Sequence, residues 1–214
     1  ARSPYFDEIW VDRKPRWYER EAIGRLRAML NSRSFVCVYD LQTSLRTTLY
    51  QWLFTRPWPR ISNVSRFSSH GYTDPARHQL HALAHDAAQL ARVGIVPQKP
   101  DVSWLVEAPP VALAPGSYVL LVPGGAPHRP EKRWPAEQYA ALAQELVSRG
   151  VTPVLLGTKA EAAVLDAIAA RVPGCVHLGD RTSIAQMATL ARHARAAVGN
   201  DTGPMYVIAA TGCL

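Results

Sequence analysis

No stretch of this chain approaches the roughly 18 consecutive apolar residues that a membrane-spanning helix requires. The opening residues, ARSPYFDEIW, lack the apolar segment of a secretory signal. Cysteine is scarce. Cys37, Cys175 and Cys213 lie far apart and fit neither a zinc spacing nor a disulfide framework, which points to a reducing compartment and a cytoplasmic protein. No HExxH pattern is present, so no metal and no cofactor are expected. His78, His81 and His85 recur at i, i+3 and i+7 and read as surface or packing residues on one helical face. Long runs of one charge are also missing, which speaks against a nucleic-acid-binding arm even though the formal net charge is +7. A basic balance still favours acidic partners such as anionic lipid or phosphorylated substrates.

What is present is alternation. From about residue 116, buried strands are expected over 118–122, 151–156, 175–178 and 194–198. Between them, helical patterns start at Pro135, near Ala160, after a cap at Thr182 or Ser183, and at Pro204. Strands alternating with helices of this length mean βαβ units and a parallel sheet. The first half is less regular. It reads as a strand end at Ile9-Trp10-Val11, a helix over 17–30, a strand over 34–39, a helix over 44–54 capped by Ser44, and a helix over 79–92. Residues 55–79 read as one long loop. The proline-rich stretch 97–116 divides the chain into expected domains 1–108 and 109–214. Both ends read as cut: the chain opens inside an element and stops directly after a helix, where an open sheet would continue.

In open α/β sheets, ligands bind outside the carboxyl ends of the strands. All four strands of the second half end in glycine-rich or polar chemistry: Pro123-Gly124-Gly125, Gly157-Thr158-Lys159-Ala160-Glu161, Gly179-Asp180-Arg181-Thr182 and Asn200-Asp201-Thr202-Gly203. Thr202-Gly203-Pro204 places free amides and a hydroxyl at a helix start, which suits a phosphate. Asp201 would repel phosphate but could accept sugar hydroxyls beside it; the plainer reading makes Asp201 or Thr202 a helix cap. Lys132 could face a phosphate, or be a solvated lysine before a helix. Glu161 could accept ribose hydroxyls, or serve only as a first-turn glutamate. In the first half, Asp40, Gln42 and Arg46 run from a strand end into a helix and are cleft-facing candidates, with turn and capping chemistry as the plainer reading.

Together, YDLQTSLR, LLVPGGAP, EKRWPAEQYAALAQEL, LLGTKAE and LGDRTSIAQMATLARHARAAVGNDTGPM resemble glycosyltransferase family 9, the heptosyltransferases of lipopolysaccharide core synthesis. The resemblance covers most of residues 34–212, and GNDTGPM in order with KRWP is its most specific part. It implies a GT-B fold, with two Rossmann-like domains. It implies inverting, metal-independent transfer of a sugar, heptose, from an ADP-sugar. It places Lys132, Thr202 and Gly203 at the diphosphate, Glu161 near the ribose and Asp201 near the donor sugar; Gly124 and Gly125, from their loop after the first of these strands, are further substrate-binding candidates. Asp40, Gln42 and Arg46 fall on the acceptor side. Two departures stand out: the family often has histidine where Tyr206 stands, and Pro127 and His128 replace hydroxyl residues found before the lysine in some members. The general base is expected in an N-terminal glycine-rich segment that has no counterpart here, so none is assigned.

The expected function is transfer from a nucleotide-sugar donor to a lipopolysaccharide core or similar anionic glycan. A peripheral contact with the inner-membrane surface suits the basic balance, and no nucleic-acid partner is expected. The rival readings are a nucleotide-sugar epimerase of similar fold and a non-catalytic nucleotide-sugar or nucleic-acid binding module.

Overall fold

The computed structural model describes residues 4–98, 101–107, 111–113, 116–126 and 129–214. The chain divides into two compact units, one of Glu8–Pro100 and one made of Ala1–Asp7 together with Asp101–Leu214. The boundary expected between residues 108 and 109 lies outside the described residues, as do Pro127 and His128.

The first unit contains α1 (Arg20–Leu30), β1 (Cys37–Tyr39), α2 (Leu45–Leu49), β2 (Arg60–Asn63), β3 (His70–Gly71) and α3 (Ala82–Ala91). Its three strands pair in parallel in the order β1-β2-β3. Ser44 caps α2, its hydroxyl accepting from the Thr47 amide at 3.2 Å, and a 3-10 turn over Tyr50–Leu53 continues the helix.

Three expectations fail in this unit. Residues 55–79 are not one long loop but carry β2 and β3. Apolar patterning misses β2 because its interior is polar and satisfied by tertiary bonds. Ser62 and Asn63 are buried; the Gln89 side chain donates to Ser62 O at 3.1 Å, and Asn63 Oδ1 accepts from the Ser65 amide at 2.8 Å. Residues 9–11 form no strand; Trp10 instead packs edge-on against Phe35 at 5.9 Å. The histidines do not share a helical face. His78 sits in a separate 3-10 turn, His81 is the N-cap of α3, and only His85 lies within that helix.

The second unit contains β4 (Tyr118–Val122), α4 (Ala136–Ser148), β5 (Thr152–Leu156), α5 (Ala162–Arg171), β6 (Val176–Gly179), α6 (Ile184–His193), β7 (Ala196–Gly199) and α7 (Gly203–Ala210). All four strands are parallel, in the order β6-β5-β4-β7. The central strands are apolar on both faces because both faces are covered. Leu121 and Leu155 pack with Tyr139, Ala143, Leu165 and Ile168 under α4 and α5. On the other face Leu120, Val122 and Val154 pack with Met187, Leu190 and Ile208 under α6 and α7. Burying each such leucine contributes about 1.5–3 kcal/mol. Ser183, rather than Thr182, caps α6 and forms a capping box with Gln186.

Candidate functional site

The strand order sets the position of the site. The chain runs outward from β4 through β5 to β6, then returns to place β7 on the opposite side of β4. The connections from β4 and β7 therefore diverge, leaving a crevice between them at a topological switch point. A cavity of about 330 Å³ lies there, lined by Gly124 and Gly125 after β4, Thr158 and Glu161 after β5, and Asp201, Thr202 and Gly203 after β7.

Asn200 holds these loops together. Its buried side chain donates to the carbonyls of Pro123 at 2.8 Å and Gly124 at 2.9 Å. Its Oδ1 accepts from the Trp134 amide at 3.0 Å and the Tyr139 hydroxyl at 3.2 Å. Burial pushes the Tyr139 hydroxyl up to about 12, so it keeps its proton for that bond. One amide thus fixes the β4 loop, the segment before α4 and the start of the β7–α7 turn.

The turn itself is tight. A Cβ on Gly199 would stand 2.7 Å from Cγ of Met205 and 2.9 Å from Cβ of Val122, so only glycine lets α7 approach this closely. Thr202 occupies the N-cap position of α7, yet its side chain makes no capping bond and its hydroxyl is buried without a partner. Gly203 begins the helix, and a Cβ there would meet nothing within 4 Å. Pro204 has no amide hydrogen, and the Met205 and Tyr206 amides both donate to the Thr202 carbonyl, so the start of α7 offers the Gly203 amide and open space, with the unsatisfied Thr202 hydroxyl buried just beneath, which is a small anion-binding arrangement.

Asp201 does not cap the helix either. Its carboxylate accepts from Lys132 Nζ at 3.2 Å and from the Tyr206 hydroxyl at 2.9 Å. The Tyr206 hydrogen bond, then the lysine, hold Asp201 below the usual carboxylate range, while the same bond raises Tyr206. Lys132, at the end of a short 3-10 turn over Pro130–Lys132, is thereby brought to the rim beside α7.

Glu161 has two faces. Its Oε2 closes a capping box with Thr158, accepting from the Thr158 amide at 2.8 Å and from its hydroxyl. Its Oε1 forms no hydrogen bond among the described residues and stands 3.4 Å from where a Cβ on Gly124 would lie. A Cβ on Gly124 would come to 3.1 Å from Glu161 Cγ and Cδ, so any larger residue there would push the Glu161 side chain. Gly125 is likewise covered by Arg133, which donates to its carbonyl at 2.6 Å.

The structure therefore brings together Lys132, Glu161, Asp201, Thr202, Gly203, Gly124 and Gly125. The sequence places Asn200 and Thr158 in the strand-end loops and marks Tyr206 as a departure from the family pattern, but it assigns none of the three a role: their partners, Pro123, Gly124, Trp134 and Tyr139 for Asn200, Glu161 for Thr158 and Asp201 for Tyr206, emerge only in the fold.

The first-unit candidates stay apart. Asp40 Oδ1 accepts from the Thr43 amide at 3.2 Å in a turn where Thr43 has φ +53°, and Oδ2 is buried without a partner. Gln42 lines a separate cavity of about 390 Å³ with Arg77, His78 and His85. Arg46 reaches instead to Asp12, at 3.6 Å. Among the described residues, no group of His, Cys, Asp and Glu is arranged to hold a metal ion, and no helix is long and apolar enough to cross a membrane.

Residues 23–213 match Glycosyltransferase family 9 (heptosyltransferase). The chain belongs to glycosyltransferase family 9. It is similar to the lipooligosaccharide heptosyltransferase 2 of Haemophilus ducreyi, 34% identical over 91 residues that cover 40% of this chain and 26% of that protein. Against the lipopolysaccharide heptosyltransferase 2 of Salmonella typhimurium it is 32% identical over 115 residues, covering 51% of this chain and 30% of the relative. The matched stretches thus span less than a third of these relatives' length. Among solved structures, a family 9 glycosyl transferase from Veillonella parvula superposes with a TM-score of 0.75 at 21% identity, covering 99% of this chain and 65% of the other. The E. coli heptosyltransferase WaaC, solved with ADP-2-deoxy-2-fluoro heptose, gives 0.68 at 18% identity, covering 92% of this chain and 66% of that one. At these identities the structural likeness shows the fold: α/β with parallel sheets, of the GT-B type.

Proposed function

We propose that the family 9 protein carrying this chain transfers heptose from ADP-heptose to a lipopolysaccharide core acceptor, with inversion at the anomeric carbon and without a metal. The observation that carries the donor half is the start of α7, where Thr202, with its unpartnered hydroxyl, and Gly203, with its open approach, line the crevice next to Asp201 and its partner Lys132. A diphosphate seated there takes Lys132 away from Asp201. The acceptor hydroxyl oxygen attacks the anomeric carbon, the carbon–oxygen bond to the phosphate breaks, and the diphosphate leaves with the electron pair. Lys132 and the Gly203 amide at the start of α7 stabilise that developing charge. The acceptor's proton goes to a general base that no residue here is assigned to supply. Asp201, released from Lys132 but still held by Tyr206, accepts donor-sugar hydroxyls, and Glu161 Oε1 accepts from the ribose. Asp40, Gln42 and Arg46 belong to the acceptor side. The heptosyltransferase relatives and the neighbour solved with an ADP-heptose analogue support this choice of donor. A cytoplasmic location fits the absence of any cysteine framework.

The test offers the full protein ADP-heptose and sugars linked to UDP or GDP, with a heptose-deficient lipopolysaccharide acceptor and with chelator present. The expected result is consumption of ADP-heptose alone, release of ADP, and a product of inverted anomeric configuration. Preference for a UDP or GDP donor, or retention of configuration, would overturn the proposal.

A further inference from the structure

An aromatic patch stands open on the first unit. The rings of Trp52 and Trp58 meet edge to face at 5.8 Å, and Phe67 lies 6.4 Å from Trp52. They are 50%, 49% and 66% exposed. Arginines lie against the rings, with the Arg56 guanidinium 5.5 Å from the Trp58 ring centre and that of Arg66 4.8 Å from the Phe67 ring centre. The three rings, Arg60 and Arg66 line a cavity of about 400 Å³. No carboxylate lines that cavity, and Arg56, Arg60 and Arg66 form no ion pair among the described residues. Trp58 and Arg60 stand at the N-terminal end of β2, away from the carboxyl strand ends where open α/β sheets bind their ligands.

The polar groups of the cavity decide what fits it. Gln51 donates to Ser65 Oγ at 3.3 Å and accepts from Ser68 at 3.0 Å. The Ser69 hydroxyl accepts from the Ile61 amide at 2.7 Å and donates to the Ile61 carbonyl at 3.3 Å. A neutral glycan or peptide must have its hydroxyls or amides paired when buried, and Gln51, Ser68 and Ser69 are engaged within the fold, so the groups left to meet an occupant are guanidiniums without an ion pair. A bilayer surface asks for the reverse: ring bodies for the apolar layer and guanidinium groups for phosphate. Tryptophan and phenylalanine bordered by arginine are what a membrane–water interface accommodates. We infer that this patch docks the protein on an anionic phospholipid surface, with Trp52, Trp58 and Phe67 entering the interface and Arg56, Arg60 and Arg66 meeting lipid phosphates.

The test is co-sedimentation of the full chain with vesicles of phosphatidylcholine alone or with a quarter phosphatidylglycerol. Binding is expected only with the anionic lipid, weakening as salt rises. Replacing Arg56, Arg60 and Arg66 by Gln should lower the partition coefficient by about a hundredfold, since each arginine near a charged surface is worth about fivefold. Trp52→Ser with Trp58→Ser should lower it at least tenfold, and Phe at both positions should restore part of it. The same charge change made at exposed Arg13, Arg27 and Arg92 is the control. An equal loss in that control would reduce the effect to bulk charge and overturn the inference. So would self-association without vesicles that the patch substitutions abolish, because a second copy would then cover the rings. Brominated acyl chains should quench the wild-type tryptophan emission and leave that of the double Ser variant unquenched; no quenching in the wild type contradicts insertion.

Discussion

Asn200 spends all its hydrogen-bonding capacity on three separate segments, so its loss should be felt beyond its size. Asn200→Ala would leave two carbonyls, an amide and the Tyr139 hydroxyl unpaired. Unpaired buried groups cost about 1–3 kcal/mol each, partly recovered by water, so denaturant unfolding should show a loss of about 3 kcal/mol. A change under 1 kcal/mol would mean that the loops hold without it. Asp201 sits beside this anchor but is exposed, and its partners are Lys132 and the Tyr206 hydroxyl. Its depressed titration means the Lys132 pair is complete above the ordinary carboxylate range and is lost only as pH falls through the depressed value. Tyr206→Phe should move the Asp201 midpoint upward in a carboxyl NMR titration, because the larger cause of the depression is removed; an unmoved midpoint would show that the hydroxyl does not hold the carboxylate. Asp201→Asn should leave thermal stability nearly unchanged, keep or tighten ADP binding, and slow transfer. Full transfer activity in that variant would remove Asp201 from the donor site.

At the scale of elements, one side chain joins the fold to the proposed ribose position. Glu161 closes, through Oε2, the capping box of the 3-10 turn Lys159–Glu161 that leads into α5, and its side chain lines the crevice. Glutamine preserves a capping box, so Glu161→Gln should keep the helix while weakening ADP more than pyrophosphate. Equal weakening of both ligands would show that Glu161 acts through the loop alone. The elements themselves were unequally legible in the sequence. β4 and β5 are sandwiched between helices, so they read as continuous apolar runs, and the loops following them fell at the right places. β2 and β3 were hidden. β2 buries Ser62 and Asn63, whose partners Gln89, Ser65 and Ser68 are distant in pattern or lie in loops, and β3 is only two residues long. The glycines after the strands were visible as letters, but their reasons were not: Gly199 answers to Met205 and Val122, Gly124 to Glu161, and Gly203 to empty space.

At the scale of the whole molecule, the two units bury very different cores. The second has fully buried side chains on both faces of its sheet, among them Leu120, Leu121, Leu155, Leu165 and Ile168 at 0% exposure. The large apolar residues buried in the first are Leu26, Phe54, Ile61 and Tyr72, each still 6–7% exposed. Opening free energy follows such burial. Hydrogen exchange should therefore be slowest at amides of β4 and β5 and faster by at least an order of magnitude at β1 to β3. Uniform protection would show that the two units open together.

The central claim is that the start of α7 is a phosphate site, and calorimetric titration of ADP and adenosine into wild type, Gly203→Ala and Lys132→Ala tests it most directly. A methyl group at Gly203 meets open space and improves helix propensity, so the alanine variant should be at least as stable as wild type. If the space is for a diphosphate, that same variant should lose ADP affinity by tenfold or more. Lys132→Ala should lose about 1–3 kcal/mol of ADP binding. Adenosine should bind all three proteins alike. Undiminished ADP binding by a stable Gly203→Ala protein, or parallel losses for ADP and adenosine, would contradict the account.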